Sequence, residues 1–170
     1  MDADLQRLAS EFRCTYTRYA DDMTFSFDDE PFPEEIARYP IASGTSQVVI
    51  GVRLRSLIQQ HGFNMNYGKS RLQVSWSHQE VTGLTVNKMV NVRRSYMKNL
   101  RAILHDWKTR GYEDAQQRYR ELKGDLKKNN HIDLRNAVKG RLNHVKMIRG
   151  ENNLLYRRYL DEYNTLTRLN

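Results

Sequence analysis

Apolar and polar residues alternate with two different periods along this chain, and the change falls a little past its midpoint. In the first half, Met23, Phe25 and Phe27 alternate with Thr24 and Ser26, the period-2 pattern of a half-buried strand. Residues 14–19 and 23–27 therefore read as two strands around a tight turn. An acidic, proline-bearing stretch from Asp28 to Ser46 reads as a loop with a short helical turn at Glu34–Arg38. Gln47 to His61 reads as an amphipathic helix with Val48, Val49, Val52, Leu57 and Ile58 among its apolar positions. Gly62 is placed to stop that helix as a left-handed cap. Short strands are expected near Gln73–Trp76 and Val81–Val86, with Asn87-Lys88 turning the second into Met89–Val92.

The second half is helical in period. Tyr96, Leu100, Ile103, Leu104 and Trp107 follow the helical spacing, and Gly111 closes the run. Tyr112, Ala115, Tyr119, Leu122 and Leu126 repeat the pattern. Leu134, Val138, Leu142, Val145 and Ile148 make a third helix stopped by Gly150, and Leu155, Tyr159, Tyr163 and Leu166 make a fourth. Four apolar stripes bury one another most simply in a small bundle, with the many tyrosines as core or boundary residues. The fold expectation is α+β, with a strand-and-helix lobe over 1–92 and a helical lobe over 93–170.

Charge sharpens this division. Residues 1–90 hold nine Lys/Arg against eleven Asp/Glu, a net −2, whereas residues 91–170 hold nineteen against nine, a net +10. A basic lobe joined to a slightly acidic one suits a protein that grips a polyanion with one part and binds cations or catalyses with the other. A solvated helical surface rich in Lys and Arg is the plain alternative. Hydrophobic residues are 39% and charged residues 28%, as in a globular protein with a modest core. No apolar run approaches the ~18 residues of a membrane span, and no leader pattern is present. Cys14 is the only cysteine, which excludes an internal disulfide and fits a cytoplasmic location. On a strand it reads as a small buried apolar residue. His61, His78, His105, His131 and His144 show no metal-ligand spacing, and there is no phosphate-cradling glycine loop. His61, at a helix C-terminus, is explained by the helix dipole.

The chemistry concentrates in Tyr19-Ala20-Asp21-Asp22, between the first two strands. Adjacent carboxylates at a hairpin tip offer hard oxygen ligands to Mg²⁺, and a two-metal site can activate a 3′-hydroxyl and stabilise departing pyrophosphate. Aspartates are also favoured in turns for bonding nearby backbone amides, so the doublet alone leaves both readings open.

The surrounding residues carry a resemblance. Thr17-Arg18-Tyr19-Ala20-Asp21-Asp22-Met23-Thr24-Phe25-Ser26 resembles the catalytic hairpin of bacterial reverse transcriptases. Gly62-Phe63-Asn64-Met65-Asn66 followed by Lys69-Ser70 resembles the segment after their palm helix. Val81-Thr82-Gly83-Leu84 resembles the Val-Thr-Gly triplet of retron enzymes, and Gly140-Arg141-Leu142 with Ile148-Arg149-Gly150 resembles the spacing in the retron thumb. The motifs occur in the family's order and cover essentially the whole chain. Assignment to retrons over group II intron relatives rests mainly on Val81-Thr82-Gly83.

The resemblance implies a partial polymerase palm (catalytic β-hairpin, helix and primer-grip strands) followed by a basic thumb bundle. It implies that Asp21 is the main ligand of Mg²⁺ with Asp22 beside it, that Tyr19 supports the primer terminus, and that Lys69 approaches the triphosphate. A solvated turn lysine is the alternative for Lys69. Val81, Thr82 and Gly83 would belong to the primer grip and help select a structured RNA; an ordinary strand with a close-packing glycine is their alternative. Arg93, Arg94, Lys98 and Arg101, with Lys127, Lys128, Lys139, Arg141, Lys146 and Arg149 downstream, would hold RNA or RNA/DNA duplex by its phosphates. Deoxynucleoside triphosphates would be substrates of the complete enzyme. The family is associated with antiviral defence against phage.

The same resemblance implies an earlier palm carboxylate and fingers that this sequence does not match. Met1 to Arg13 resembles the helix that follows those parts, and Asp2 and Asp4 within it do not match the first carboxylate. Two readings follow: a C-terminal piece of an RNA-directed DNA polymerase, inactive without an upstream fingers/palm polypeptide, or a non-catalytic RNA-binding module derived from one.

Overall fold

The computed structural model describes residues 1–40, 48–123 and 132–169, and these divide into two compact units, Met1–Thr82 and Gly83–Asn170. No helix among them is long and apolar enough to cross a membrane.

The first unit opens with a helix, Asp2–Glu11 (α1), whose Leu5, Leu8 and Ala9 are buried. It ends in a tight reversal: the Cys14 amide donates to the Ala9 carbonyl and the Arg13 amide to that of Ser10, with Arg13 at φ +56. That is the Schellman arrangement, here with arginine where glycine is usual. The reversal feeds an antiparallel hairpin, Thr15–Tyr19 (β1) and Asp22–Ser26 (β2), with Thr17 opposite Thr24 and Tyr19 opposite Asp22. As the alternation predicts, Met23, Phe25 and Phe27 face the core formed by α1. Tyr16 and Phe25, paired across the strands, pack with ring planes tilted by 42° and centroids 5.1 Å apart. Cys14 is buried, and burial pushes its thiol pKa up, as suits an inert core residue.

Several elements differ from the sequence expectation. The turn after Pro33 forms, but Ala37–Arg38 (β3) then pairs antiparallel with Val49–Ile50 (β4). The helix expected from Gln47 is therefore only Val52–Gln60 (α2), with Gln47 itself outside the described residues. Leu54 and Ile58 carry its buried stripe, while Val52 is 66% exposed. Gly51 explains the break, since a Cβ there would lie 2.0 Å from the Glu35 carbonyl oxygen. The far end is as expected: Gly62 at φ +78 donates to Gln59, and Phe63 to Ile58.

No strand forms at Gln73–Trp76; instead the Gln73 side chain donates to the Glu80 carbonyl (2.9 Å) and accepts from the Glu80 amide (2.7 Å). A side-chain amide thus does the work of a strand partner. The strand expected over Val81–Val86 is cut in two, Glu80–Val81 (β5) and Leu84–Thr85 (β6), by a turn at Thr82-Gly83.

In the second unit β6 pairs antiparallel with Asn91–Val92 (β7), Leu84 opposite Val92. Four helices follow among the described residues: Arg94–Arg110 (α3), Tyr112–Lys123 (α4), Leu134–Arg149 (α5) and Leu154–Arg168 (α6). Their core includes Leu100, Leu104, Trp107, Leu134, Leu142 and Val145, with Tyr156, Tyr159 and Tyr163 from α6. Gly111 and Gly150 close α3 and α5 at φ +84, ψ 171 and φ +83, ψ 159, a region open essentially only to glycine. Buried Gln116 ties α4 to the start of α5, donating to the Ile132 carbonyl (2.7 Å) and accepting from the Leu134 amide (2.6 Å). Two apolar positions lie elsewhere than the spacing predicts. Leu122 is 83% exposed, and Leu155 faces outward while Tyr156 takes the buried place. Leu126 and His131 lie outside the described residues.

Candidate functional site

The β1–β2 hairpin is buried at its base and bare at its tip. Cys14 and Tyr16 sit in the core, whereas Tyr19, Ala20, Asp21 and Asp22 are all exposed. Because Tyr19 pairs with Asp22, the turn is only two residues, Ala20-Asp21. Ala20 has φ +53 and Asp21 does not share the left-handed region, the pattern of a II′ turn, which fits the twist of a two-residue hairpin. A turn this short fixes the backbone directions of both carboxylates. Tyr19 is 73% exposed, so this aromatic ring contributes no core packing at the tip.

A polar chain that sequence reasoning missed runs up one side of the hairpin. The Tyr16 hydroxyl donates to Asp2 (2.9 Å), and Arg18 Nη1 reaches both oxygens of the same carboxylate at 2.9 and 3.1 Å. Arg18 Nε then donates to the Ala20 carbonyl at 2.6 Å. The Arg18 contact first, then the Tyr16 hydroxyl, holds the Asp2 carboxyl below its ordinary range. Burial, then the Asp2 bond, pushes the Tyr16 hydroxyl up to about 12. No spacing rule joins Asp2 to Arg18, since the pair meets only when α1 folds back on β1.

The other expected site residues occupy separate places. Lys69 lies exposed in a turn after α2, its amide bonded to the Asn66 carbonyl and to Asn66 Oδ1. No hydrogen bond or ion pair joins it to the hairpin tip among the described residues. Thr82 and Gly83 have successive positive φ values, +47 and +83, so Val81-Thr82-Gly83 ends in a tight turn and not in a continuing strand. A Cβ on Gly83 would meet nothing within 4 Å, so that glycine serves the backbone angle and not close packing. Just before this turn, the buried Glu80 carboxylate meets Arg71 at 3.6 Å and His78 at 3.5 Å.

On α3, Arg94, Lys98 and Arg101 recur at i, i+4 and i+7, all exposed, on a face beside the stripe of Leu100, Leu104 and Trp107. Among the described residues none of the three forms a salt bridge. Arg93 stands at the N-cap. Farther on, several cations have structural partners: Lys146 pairs with Glu151 (2.9 Å), Arg149 donates to Asn91 (2.7 Å), and Arg141 lies over the Tyr96 ring. Lys139 is exposed; Lys127 and Lys128 lie outside the described residues. His61 caps α2 but also meets Asp4 at 2.9 Å, a specific partner beyond the helix dipole.

Asp21 and Asp22 are the donors that suit a hard divalent cation: two carboxylates, adjacent in sequence and open to solvent, with no ion pair among the described residues. No group of three potential ligands occurs among those residues.

Comparison with known proteins agrees with the motifs. The chain is 38% identical over 109 residues to the Retron Mx65 reverse transcriptase of Myxococcus xanthus, covering 62% of this chain and 21% of that protein. It is 34% identical over 116 residues to the Retron Mx162 reverse transcriptase of the same organism, covering 64% of this chain and 23% of that protein. It thus spans little more than a fifth of the length of these relatives. No family model matches, and no solved structure matches. Over nearly two thirds of its length, therefore, the chain is a relative of the retron-type reverse transcriptases.

Proposed function

We propose that this chain supplies the catalytic hairpin and the thumb of a retron-type RNA-directed DNA polymerase. The observation that carries the proposal is the exposed Tyr19-Ala20-Asp21-Asp22 tip, presented on a two-residue turn whose strands are anchored in a core. In this reading residues 1–92 belong to the palm and residues 93–170 form the thumb. Asp21 holds the cation most directly and Asp22 supports it from the adjoining strand position. A bound Mg²⁺ supplies activation of the primer 3′-hydroxyl and charge neutralisation on the triphosphate of the incoming nucleotide. Tyr19 offers an open ring face to the primer terminus, as its exposure at the tip allows. Lys69 brings a mobile cation toward the departing pyrophosphate. The turn at Val81-Thr82-Gly83 belongs to the primer grip and contributes to choice of structured RNA. Arg93, Arg94, Lys98 and Arg101 at the head of α3 hold duplex phosphates, an interaction that needs distributed cations and no base-reading motif.

Two carboxylates do not complete a two-metal site, so the chain by itself does not polymerise. Fingers and a further palm carboxylate, on a longer form of this chain or on a separate polypeptide, complete it. The test is Mg²⁺-dependent primer extension on an RNA template, with the chain alone and with the polypeptide encoded immediately upstream. Extension only in the mixture, lost on Asp21→Asn, is the expected result. Extension by the chain alone would overturn the account of an incomplete site.

A second reading, a non-catalytic RNA-binding module, draws on the unpaired cations of α3. It requires Asp21→Asn to leave every function of the protein unchanged, including extension in the mixture.

A further inference from the structure

We infer that Arg18 is a positioning residue for Asp21, locking the hairpin turn in the orientation that presents the carboxylate. The inference rests on the reading of the hairpin as a metal-holding site. It goes beyond it by assigning a role to a polar chain that neither the motif nor the comparison with relatives identifies.

The Ala20 carbonyl belongs to the planar peptide unit that leads into Asp21. Holding that oxygen fixes the plane, and the plane restricts where the Asp21 side chain can point. Arg18 Nε holds it at 2.6 Å. The restraint matters because the exposed tip carries a non-glycine residue at φ +53, a conformation L residues seldom adopt, which a bond to the adjoining peptide helps to hold. Arg18 is in turn held by both oxygens of Asp2, in the first turn of α1. Asp2 also accepts from Tyr16, whose buried ring packs against Phe25. A continuous path thus runs from the hydrophobic core through Tyr16, Asp2 and Arg18 to the peptide preceding Asp21.

The chemistry of the guanidinium suits this post. The planar group bonds the carboxylate through Nη1 and the carbonyl through Nε at fixed relative angles, which a lysine ammonium on a flexible stem cannot reproduce. Its charge is matched by Asp2, so a cation can stand near the active carboxylates with reduced repulsion toward the metal.

An ordinary surface ion pair would affect stability slightly and metal binding through charge alone. The two roles predict effects of opposite sign. Removing a cation near Asp21 favours a divalent ion by simple electrostatics, whereas losing the turn's restraint disfavours it. The experiment is a Mn²⁺ titration of the full chain, followed by paramagnetic broadening of the amide resonances of residues 20–22, with thermal melts in parallel. Arg18→Ala is expected to weaken Mn²⁺ binding at least threefold while the melting temperature stays close to that of the unaltered chain. Arg18→Lys, which keeps the charge and lacks the fork, is expected to weaken it as well, and it serves as the readout if Arg18→Ala does not fold. Equal or tighter binding by these variants, with Asp21→Asn abolishing the broadening, overturns the positioning role and leaves the metal site standing. Broadening that survives Asp21→Asn overturns the metal-site reading, and the inference falls with it.

Discussion

Gly51 has no room for a side chain, because a Cβ would press on the Glu34 and Glu35 backbone, and backbone cannot swing aside as a flexible side chain can. Its φ of −60 is open to any residue, so the requirement is one of space and not of backbone conformation. Gly51→Ala is expected to cost about 3 kcal/mol, the upper part of the usual overpacking range, read from the midpoint of urea denaturation. Asp133 shows the reverse case, a residue valued for its charge and shape. It caps α5 by accepting from the Asn136 amide at 2.9 Å and also accepts the Tyr112 hydroxyl at 3.0 Å. The Asn136 amide first, with Tyr112 and Arg135 adding to it, holds its carboxyl below the ordinary value of 3.8. A carboxylate depressed by folding stabilises fully above its unfolded value, and that stabilisation is lost as pH falls through the folded one. Asp133→Ala should therefore cost about 1 kcal/mol at pH 7, with the difference from the unaltered chain shrinking as the pH drops below 3.8. Asp133→Asn keeps a capping oxygen without a titrating group and should lose less at pH 7, its deficit narrowing over the same pH range as the unaltered chain protonates. Chemical denaturation at pH 7 and pH 3 distinguishes the three.

At the scale of elements, helix ends were legible because their chemistry is local. Gly62, Gly111 and Gly150 stand where the spacing places them, each at positive φ, since a helix stop needs only the backbone freedom of one residue. Helix starts and short strands were less legible. Val48, Val49 and Val52 fit one helical stripe, but Val49 lies in β4 and Val52 opens α2, and the glycine between them was the overlooked signal. For Gln73 the partner is the Glu80 backbone seven residues away, made through a side chain, so no periodicity reports it. The α3 face offers the direct test of phosphate binding. Neutralising Arg94, Lys98 and Arg101 together with glutamine should weaken RNA binding and reduce the slope of log affinity against log salt by about 2–3, as for the loss of a few phosphate contacts. An unchanged slope in a fluorescence titration would show that this face does not meet phosphate. The helix should survive the change, because none of the three is among its buried residues.

For the whole molecule, most buried hydrophobic residues among those described fall into two clusters with no member in common, one around Leu5, Tyr16 and Ile58 and one around Leu104, Leu142 and Tyr159. Truncation in either creates a cavity worth about 2–5 kcal/mol. Ile58→Ala should lower amide-exchange protection chiefly in α1 and α2, and Leu142→Ala chiefly in α3, α5 and α6. Uniform loss across all of them from either change would mean that the chain unfolds as one cooperative body.

What the sequence determined by itself is what short-range physics encodes. It determined the class of each half from its period, the hairpin from strict alternation around a short turn, the glycine stops, and the asymmetry of charge. It also carried the ordered motifs that relate the chain to retron-type reverse transcriptases. Only the tertiary structure decided which apolar residues are buried, as the exposure of Leu122 and Leu155 shows, because a helical stripe defines a face but not where the neighbouring helix covers it. Only it could join Asp2 to Arg18, or Gln116 to the first turn of α5, since those contacts depend on how elements distant in sequence fold back on one another.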